Sequence, residues 1–269
     1  MKKKLIILIS RKDYIKFVKS NLEKQFDAYD ECRLWLNTNK EQDFYIDYFK
    51  DNQKVKIVVP EESNPDVIDP FVNLKFFYKQ DAVDENSVYI KLDDDILWVE
   101  ENFIDKLFSE RLKPENDKYF LILPLIFNNA IISNILMRFG KLPWDNKCWY
   151  NPQDPIGWGS GYFAEKLHRM FLDMIKENAL DSLKFNKWLL DPKELVTINA
   201  ISFFGSDMKN VVPTLNMHSD EFYLCHYGPS ILNKNNIIVG NNICSHYAFF
   251  PQKNYLDTTD ILQLYENII

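Results

Sequence analysis

Val88-Tyr89-Ile90-Lys91-Leu92-Asp93-Asp94-Asp95-Ile96-Leu97-Trp98-Val99 is the stretch that decides how this chain is read. Three adjacent carboxylates repel one another, and the apolar runs on either side hold them near the protein interior. Buried negative charge is costly unless a cation or hydrogen-bond donors offset it. Hard divalent cations such as Mg²⁺ and Mn²⁺ prefer carboxylate oxygens and commonly bridge one or two carboxylates to phosphate. The competing reading is an acidic helix cap or surface turn, since Asp clusters also start helices. Here the triplet lies between two strand-like runs rather than before a helix, which favours metal binding.

Upstream, strand-like and helix-like segments alternate. Lys4 to Ser10 reads as a continuous apolar strand. From Asp13 to Phe26, Ile15, Val18, Leu22 and Phe26 recur at helical spacing. Cys32 to Leu36 is a second strand, Glu41 to Lys50 a helix and Val55 to Val59 a third strand. Pro60 to Pro70 is a proline-rich loop, Phe71 to Tyr78 a helix, and Ser87 to Leu92 a fourth strand running into the aspartates. This rhythm predicts an α/β fold with a mostly parallel central sheet flanked by helices. Ligands of such sheets sit at the carboxyl ends of the strands, where Asp93 to Asp95 fall.

The second half is less regular. Tyr119 to Phe127 reads as a strand followed by a helix through Arg138, and Gly140 to Gly161 as a long loop rich in Pro, Trp, Gly and Asn. Tyr162 to Lys176 is an amphipathic helix, Ile198 to Phe204 and Ile243 to Phe250 are strands, and a helix around Thr259 to Glu266 closes the chain. With no repeat, low-complexity tract or linker, one compact domain is expected. Residues 1–99 would form its nucleotide half and residues 100–269 its acceptor half.

Composition narrows the partners. The chain has 269 residues, 46% of them hydrophobic and 15% aromatic, enough for a sizeable core. A net charge of −7 argues against nucleic acid, whose phosphates want a basic surface. An acidic protein can still take a nucleotide diphosphate through a divalent cation. Cys32, Cys148, Cys225 and Cys244 are scattered without zinc-type spacing and read as reduced, buried thiols of a cytoplasmic protein. The run Leu5 to Ile9 is too short for a signal peptide and fits a core strand, and no apolar run reaches membrane-span length. Peripheral membrane association stays open. Walker, GxGxxG, Ser-His-Asp and HExxH patterns are missing.

Apolar strand, Asp-x-Asp and short apolar strand together resemble the signature of the GT-A-fold glycosyltransferases, a Rossmann-like α/β family. The order of "YIKLDDDILWV", "NAISFFG" (Asn199 to Gly205), "SDEFYL" (Ser219 to Leu224) and "SHYAFF" (Ser245 to Phe250) is similar to that of bacterial glycosyltransferase-like proteins of polysaccharide synthesis. The resemblance implies transfer of a sugar from a nucleotide-diphosphate sugar to a hydroxyl of a glycan, with Mn²⁺ or Mg²⁺. UDP-sugar is the favoured donor and GDP- or dTDP-sugar the alternatives. It further implies Asp95 as direct metal ligand, Asp93 as its helper on metal or ribose, and Asp94 facing the donor sugar. His246 would complete the metal site, although a core histidine is the competing reading. Asp220 and Glu221 are the candidates for the catalytic carboxylate that takes the acceptor proton, and equally for a helix cap with an acidic first turn. Arg11, after the first strand, would meet base or phosphate, with a solvated arginine the competing reading, and Asn37 and Thr38, after the second, would meet the base. The glycines and aromatics of the Trp144 to Trp158 loop would approach the acceptor, and a rigid packed loop is the competing reading.

Two other functions remain. A nucleotidyltransferase acting on sugar phosphates also uses paired acids and Mg²⁺, but Ser10-Arg11-Lys12-Asp13 lacks the glycines of its usual phosphate loop. A non-catalytic glycan-binding protein on the same fold would show no metal-dependent nucleotide binding.

Overall fold

The computed structural model describes residues 1–36, 42–59, 77–143, 148–214 and 220–269. The first part alternates β1 (Lys2–Ile9), α1 (Ile15–Lys24), β2 (Glu31–Leu36), α2 (Gln42–Phe49) and β3 (Val55–Val58). Next come β4 (Ser87–Asp93), β5 (Ile96–Val99), α3 (Phe103–Arg111), β6 (Tyr119–Phe127), α4 (Ala130–Arg138) and α5 (Gly161–Lys176). The remainder holds β7 (Lys187–Leu189), β8 (Ala200–Phe204), α6 (Gly205–Val211), a run of short helical turns from Asp220 to Leu232, β9 (Asn235–His246), α7 (Phe250–Leu256) and α8 (Ile261–Glu266).

All nine strands join one sheet in the order β3-β2-β1-β4-β8-β6-β9-β5, with β7 also paired to β9. β1 to β4 run parallel, as do β6 and β9, while β8 enters antiparallel between β4 and β6. β5 and β7 run antiparallel to β9. The architecture is thus a single α/β domain whose mixed sheet is mostly parallel in strand direction. Continuous apolar runs rather than alternating ones mark its central strands, because helices pack against the sheet. In β6 every residue after Tyr119 is buried, and in β4 all but Asp93 are.

The expected elements of the first half are present within two residues at each end. Of the helix expected over Phe71 to Tyr78, only Phe77 and Tyr78 lie within the described residues, and both are helical. The last strand is corrected: β9 starts at Asn235 and stops at His246, not Phe250. Pro251 sits in the first turn of α7, where its missing N–H costs nothing, so the chain turns helical there. Helices α3, α6 and α7 were not anticipated. All four cysteines are buried and unbridged. No helix among the described residues is long and apolar enough to cross a membrane.

Candidate active site

From β1 the chain winds outward through β2 and β3, then returns to place β4 on the other side of β1. The boundary between β1 and β4 is therefore a switch point, and a crevice opens at the carboxyl ends of the two strands. Ser10 and Arg11 follow β1 directly, and Asp93 ends β4 opposite Leu8. A cavity of about 710 Å³, open to solvent, lies here among Leu8, Arg11, Trp35, Lys91, Asp93 and Glu221.

The three aspartates have different surroundings. Asp93 is partly exposed. Its carboxylate pairs with the Lys91 ammonium at 2.5 Å and accepts the Asn199 amide at 3.1 Å. Asp94 is buried, with Oδ2 accepting the backbone N–H groups of Ser10 (2.8 Å) and Arg11 (3.0 Å), and Oδ1 accepting Arg11 Nε at 3.0 Å. Its carboxylate thus ties the turn after β4 to the turn after β1. Asp95 is also buried. Its Oδ2 lies 2.9 Å from Arg11 Nη2 and 3.4 Å from His246 Nε2, and its Oδ1 has no hydrogen-bond partner. Burial opposes ionisation of Asp95, but His246 and Arg11 outweigh it and hold the carboxyl below the usual range.

His246 reaches Asp95 because β9 ends beside β5, with Ile96 opposite His246. Its other ring nitrogen, Nδ1, lies 3.2 Å from the Asn128 carbonyl oxygen, which can only accept, so Nδ1 carries the proton. Asn128 sits in the left-handed region (φ 62°), and its side chain also donates to the Tyr247 carbonyl at 2.7 Å. This is the outer-shell arrangement that fixes the tautomer of a ligating imidazole. With Nδ1 protonated, neutral His246 presents the Nε2 lone pair to a carboxylate oxygen. Two acceptors face each other, and a proton or cation must lie between them. Burial disfavours the proton on His246, yet Asp95 more than restores it and the pKa is raised.

Among the described residues, no three His, Cys, Asp or Glu side chains converge as a complete ligand set. The residues present suit a hard cation held by two protein ligands, with phosphate oxygens and water in the other positions. The unpartnered, buried Asp95 Oδ1 is the observation that supports this fit.

Asp220 and Glu221 lie across the cavity from the triplet. Asp220 is buried, accepting the Tyr78 hydroxyl at 3.2 Å and the Glu221 N–H at 3.0 Å. Glu221 is half-buried and lines the cavity beside Lys91 and Asp93. Burial, and then the neighbouring Asp220, push its pKa up to about 7. Lys91, buried on β4, donates to the Ile198 carbonyl at 3.1 Å. Burial works against its charge, but Asp93 and the two acids keep it protonated.

Asn37, Thr38 and residues 144–147 lie outside the described residues. The rest of the expected loop, 148–158, borders a second cleft of about 1400 Å³. Sequence reasoning missed Lys91, Asn128 and Asn199. Lys91 was discoverable: a lysine inside an apolar strand, two residues before Asp93, shares its face.

Neither a family model nor a curated protein matches the chain. Solved structures do. GalNAc-T7 with UDP, GalNAc and Mn²⁺ superposes with a TM-score of 0.52 at 14% identity, over 93% of this chain and 45% of that one. CMP:2-keto-3-deoxy-manno-octonic acid synthetase complexed with CTP gives 0.51 at 10% identity, over all of both chains. 4-Diphosphocytidyl-2C-methyl-D-erythritol synthase from Anaerococcus prevotii gives 0.49 at 9% identity, over 99% and 95%. On the first two superpositions, the chain has the GT-A-like α/β fold seen in both a glycosyltransferase and a nucleotidyltransferase.

Proposed function

We propose that this protein is a metal-dependent glycosyltransferase, moving a sugar from a nucleotide-diphosphate sugar to a hydroxyl of a glycan. The observation that carries the reading is the Asp95–His246 pair: a buried carboxylate and imidazole 3.4 Å apart, with the other carboxylate oxygen unpartnered, next in sequence to the aspartates that line the switch-point cavity. Asp95 and His246 would hold a Mn²⁺ or Mg²⁺ ion, with Asp93 within helping reach. Such a cation neutralises the charge that develops on a diphosphate leaving group.

The chain's own residues supply the rest. Leu8, Trp35 and Leu36 give the cavity an apolar flank suited to a nucleobase. Arg11, clamped by Asp94 and stacked 4.7 Å from the Tyr14 ring, lines the same cavity and would lend its positive charge to a phosphate there. Glu221 is the better placed of the two acids to act as base. It is half-buried and its carboxylate takes a backbone bond from Ile198, whereas Asp220 is buried and occupied by the Tyr78 hydroxyl and by the Glu221 N–H. With inversion at the anomeric carbon, the acceptor hydroxyl passes its proton to Glu221. Burial, and then like-charge repulsion from Asp220 beside it, keep that carboxylate basic.

A second reading, a nucleotidyltransferase acting on sugar phosphates, is favoured by the superposition with the CMP-sugar synthetase over both whole chains. The reactions release different products. UDP or GDP freed from a nucleotide-sugar marks glycosyl transfer, while pyrophosphate freed from CTP or UTP with a sugar phosphate marks nucleotidyl transfer. Calorimetric titration of UDP-, GDP- and dTDP-sugars with and without Mn²⁺ tests the shared premise. Binding that ignores the metal, or no binding at all, overturns it.

A further inference from the structure

Glu221 lines two cavities, the crevice at the aspartates and the second cleft, and Asn199, which holds Asp93, also borders the second. The second cleft is walled by Tyr150, Trp158, Phe222 and Phe249, and its charged lining residues are Glu194 and Glu221. Among the described residues no lysine or arginine lines it. Arg138, whose guanidinium lies 5.1 Å from the Tyr150 ring centroid, is not part of that lining.

The walls are fixed before any ligand arrives. Trp188 Nε1 donates to the Tyr150 hydroxyl at 3.0 Å, and Glu194 accepts the Asp191 N–H at 2.9 Å. The loop bearing Tyr150 and Trp158 is gathered around buried Asp154, which accepts backbone N–H groups from Trp149 (2.9 Å), Ile156 (2.9 Å) and Gly157 (2.6 Å). Gly157 lets that loop sit against α4, since a Cβ there would stand 2.9 Å from Ala130 Cα.

We propose that this cleft binds the acceptor as an uncharged or amino-bearing sugar ring and rejects sugars carrying a carboxylate or phosphate. Aromatic walls offer faces to the C–H side of a sugar ring. A cleft with acidic and no basic lining places like charges together when the ligand is anionic, which costs affinity. The role as acceptor site rests on the transferase reading; the charge preference does not.

The test is saturation-transfer NMR on the full chain with methyl glucoside, methyl glucosaminide, methyl glucuronide and glucose 6-phosphate, without donor. Signal is expected from the first two, with the anionic pair weaker by about tenfold or more. Trp158→Ala is expected to lose the signal. Glu194→Lys, at a half-exposed position, is expected to admit the glucuronide. Equal binding of all four probes, binding of none, or a glucuronide signal unchanged in Glu194→Lys overturns the proposal. Metal-dependent UDP-sugar calorimetry is read separately. Its failure alongside selective sugar binding removes the transferase reading and leaves the cleft's selectivity standing.

Discussion

Glu221 carries the most exposed claim about the chemistry, and its replacement by Gln keeps shape while removing the base. With a pKa of about 7, the carboxylate is ionised in about one molecule in eleven at pH 6 and in about ten in eleven at pH 8. The transfer rate of the wild type should therefore climb about tenfold across that range and level off above it. In Glu221→Gln the climb should vanish and the rate at pH 8 should fall by about 10² to 10⁴, or roughly 3 to 5 kcal/mol of transition-state stabilisation. UDP release from a UDP-sugar in the presence of a glycoside acceptor measures both. Stability supplies an independent reading of the same carboxyl. Its folded pKa lies above the unfolded value, so the folded state holds the proton more tightly. Stability linked to this group is full below about pH 4.3 and is lost as pH rises through 7. Glu221→Gln should thus be the more stable protein at pH 8 while being the slower enzyme. A wild-type profile inflecting near 4, or a variant retaining most of its activity, would refute the assignment of Glu221 as base.

Other perturbations probe separate parts of the molecule. Asp95→Asn should abolish the Mn²⁺ dependence of UDP binding in calorimetry, and Asn128→Ala, which removes the side-chain bonds to Tyr247 and Gln252 that hold in place the residue whose carbonyl meets His246, should weaken it by about 10- to 100-fold. Burial holds His168 down to a pKa of about 4, with Nε2 donating to the Tyr247 carbonyl at 2.8 Å and Nδ1 accepting from Tyr265 at 3.0 Å. Because the unfolded chain binds that proton more readily, stability should drop as pH falls from about 6.5 to 4, by up to about 3 kcal/mol. Urea melts of His168→Asn should lack that component. Asp154→Ala strips a buried acceptor from three N–H groups and should cost about 3 kcal/mol in urea melts, with loss of sugar binding in the second cleft.

Much of the half that holds β1 to β4 was legible from the residues. Continuous apolar runs at Leu5 to Ile9 and Val88 to Leu92 are what strands covered on both sides look like, and the aspartates had to follow the second of them. The meeting of Asp95 with His246 was expected and the structure places them 3.4 Å apart. What could not be read were effects of pairing across long separations. No local pattern shows that β8 inserts antiparallel beside β4, bringing Asn199 to Asp93. Nor does any local pattern show that Arg11, expected at the nucleotide, spends its guanidinium on Asp94 and Asp95. The different surroundings of Asp220 and Glu221 likewise depend on Tyr78, far away in sequence.

The antiparallel pairing of β5 with β9 sets when the protein becomes competent as it folds. Asp95 is made long before His246, so the pair cannot exist until β9 has docked. Pairings of such sequence separation form slowly, because loop closure must precede the contacts that reward it. A chain still being made carries bare aspartates without the imidazole, and gathers cations no better than any acidic loop. Once β9 is in place, whatever occupies the pair draws on the whole fold rather than one loop. A ligand at about 100 times its Kd then adds about 2.7 kcal/mol to global stability, so a rise in Tm with nucleotide and Mn²⁺ together would report that β9 has closed.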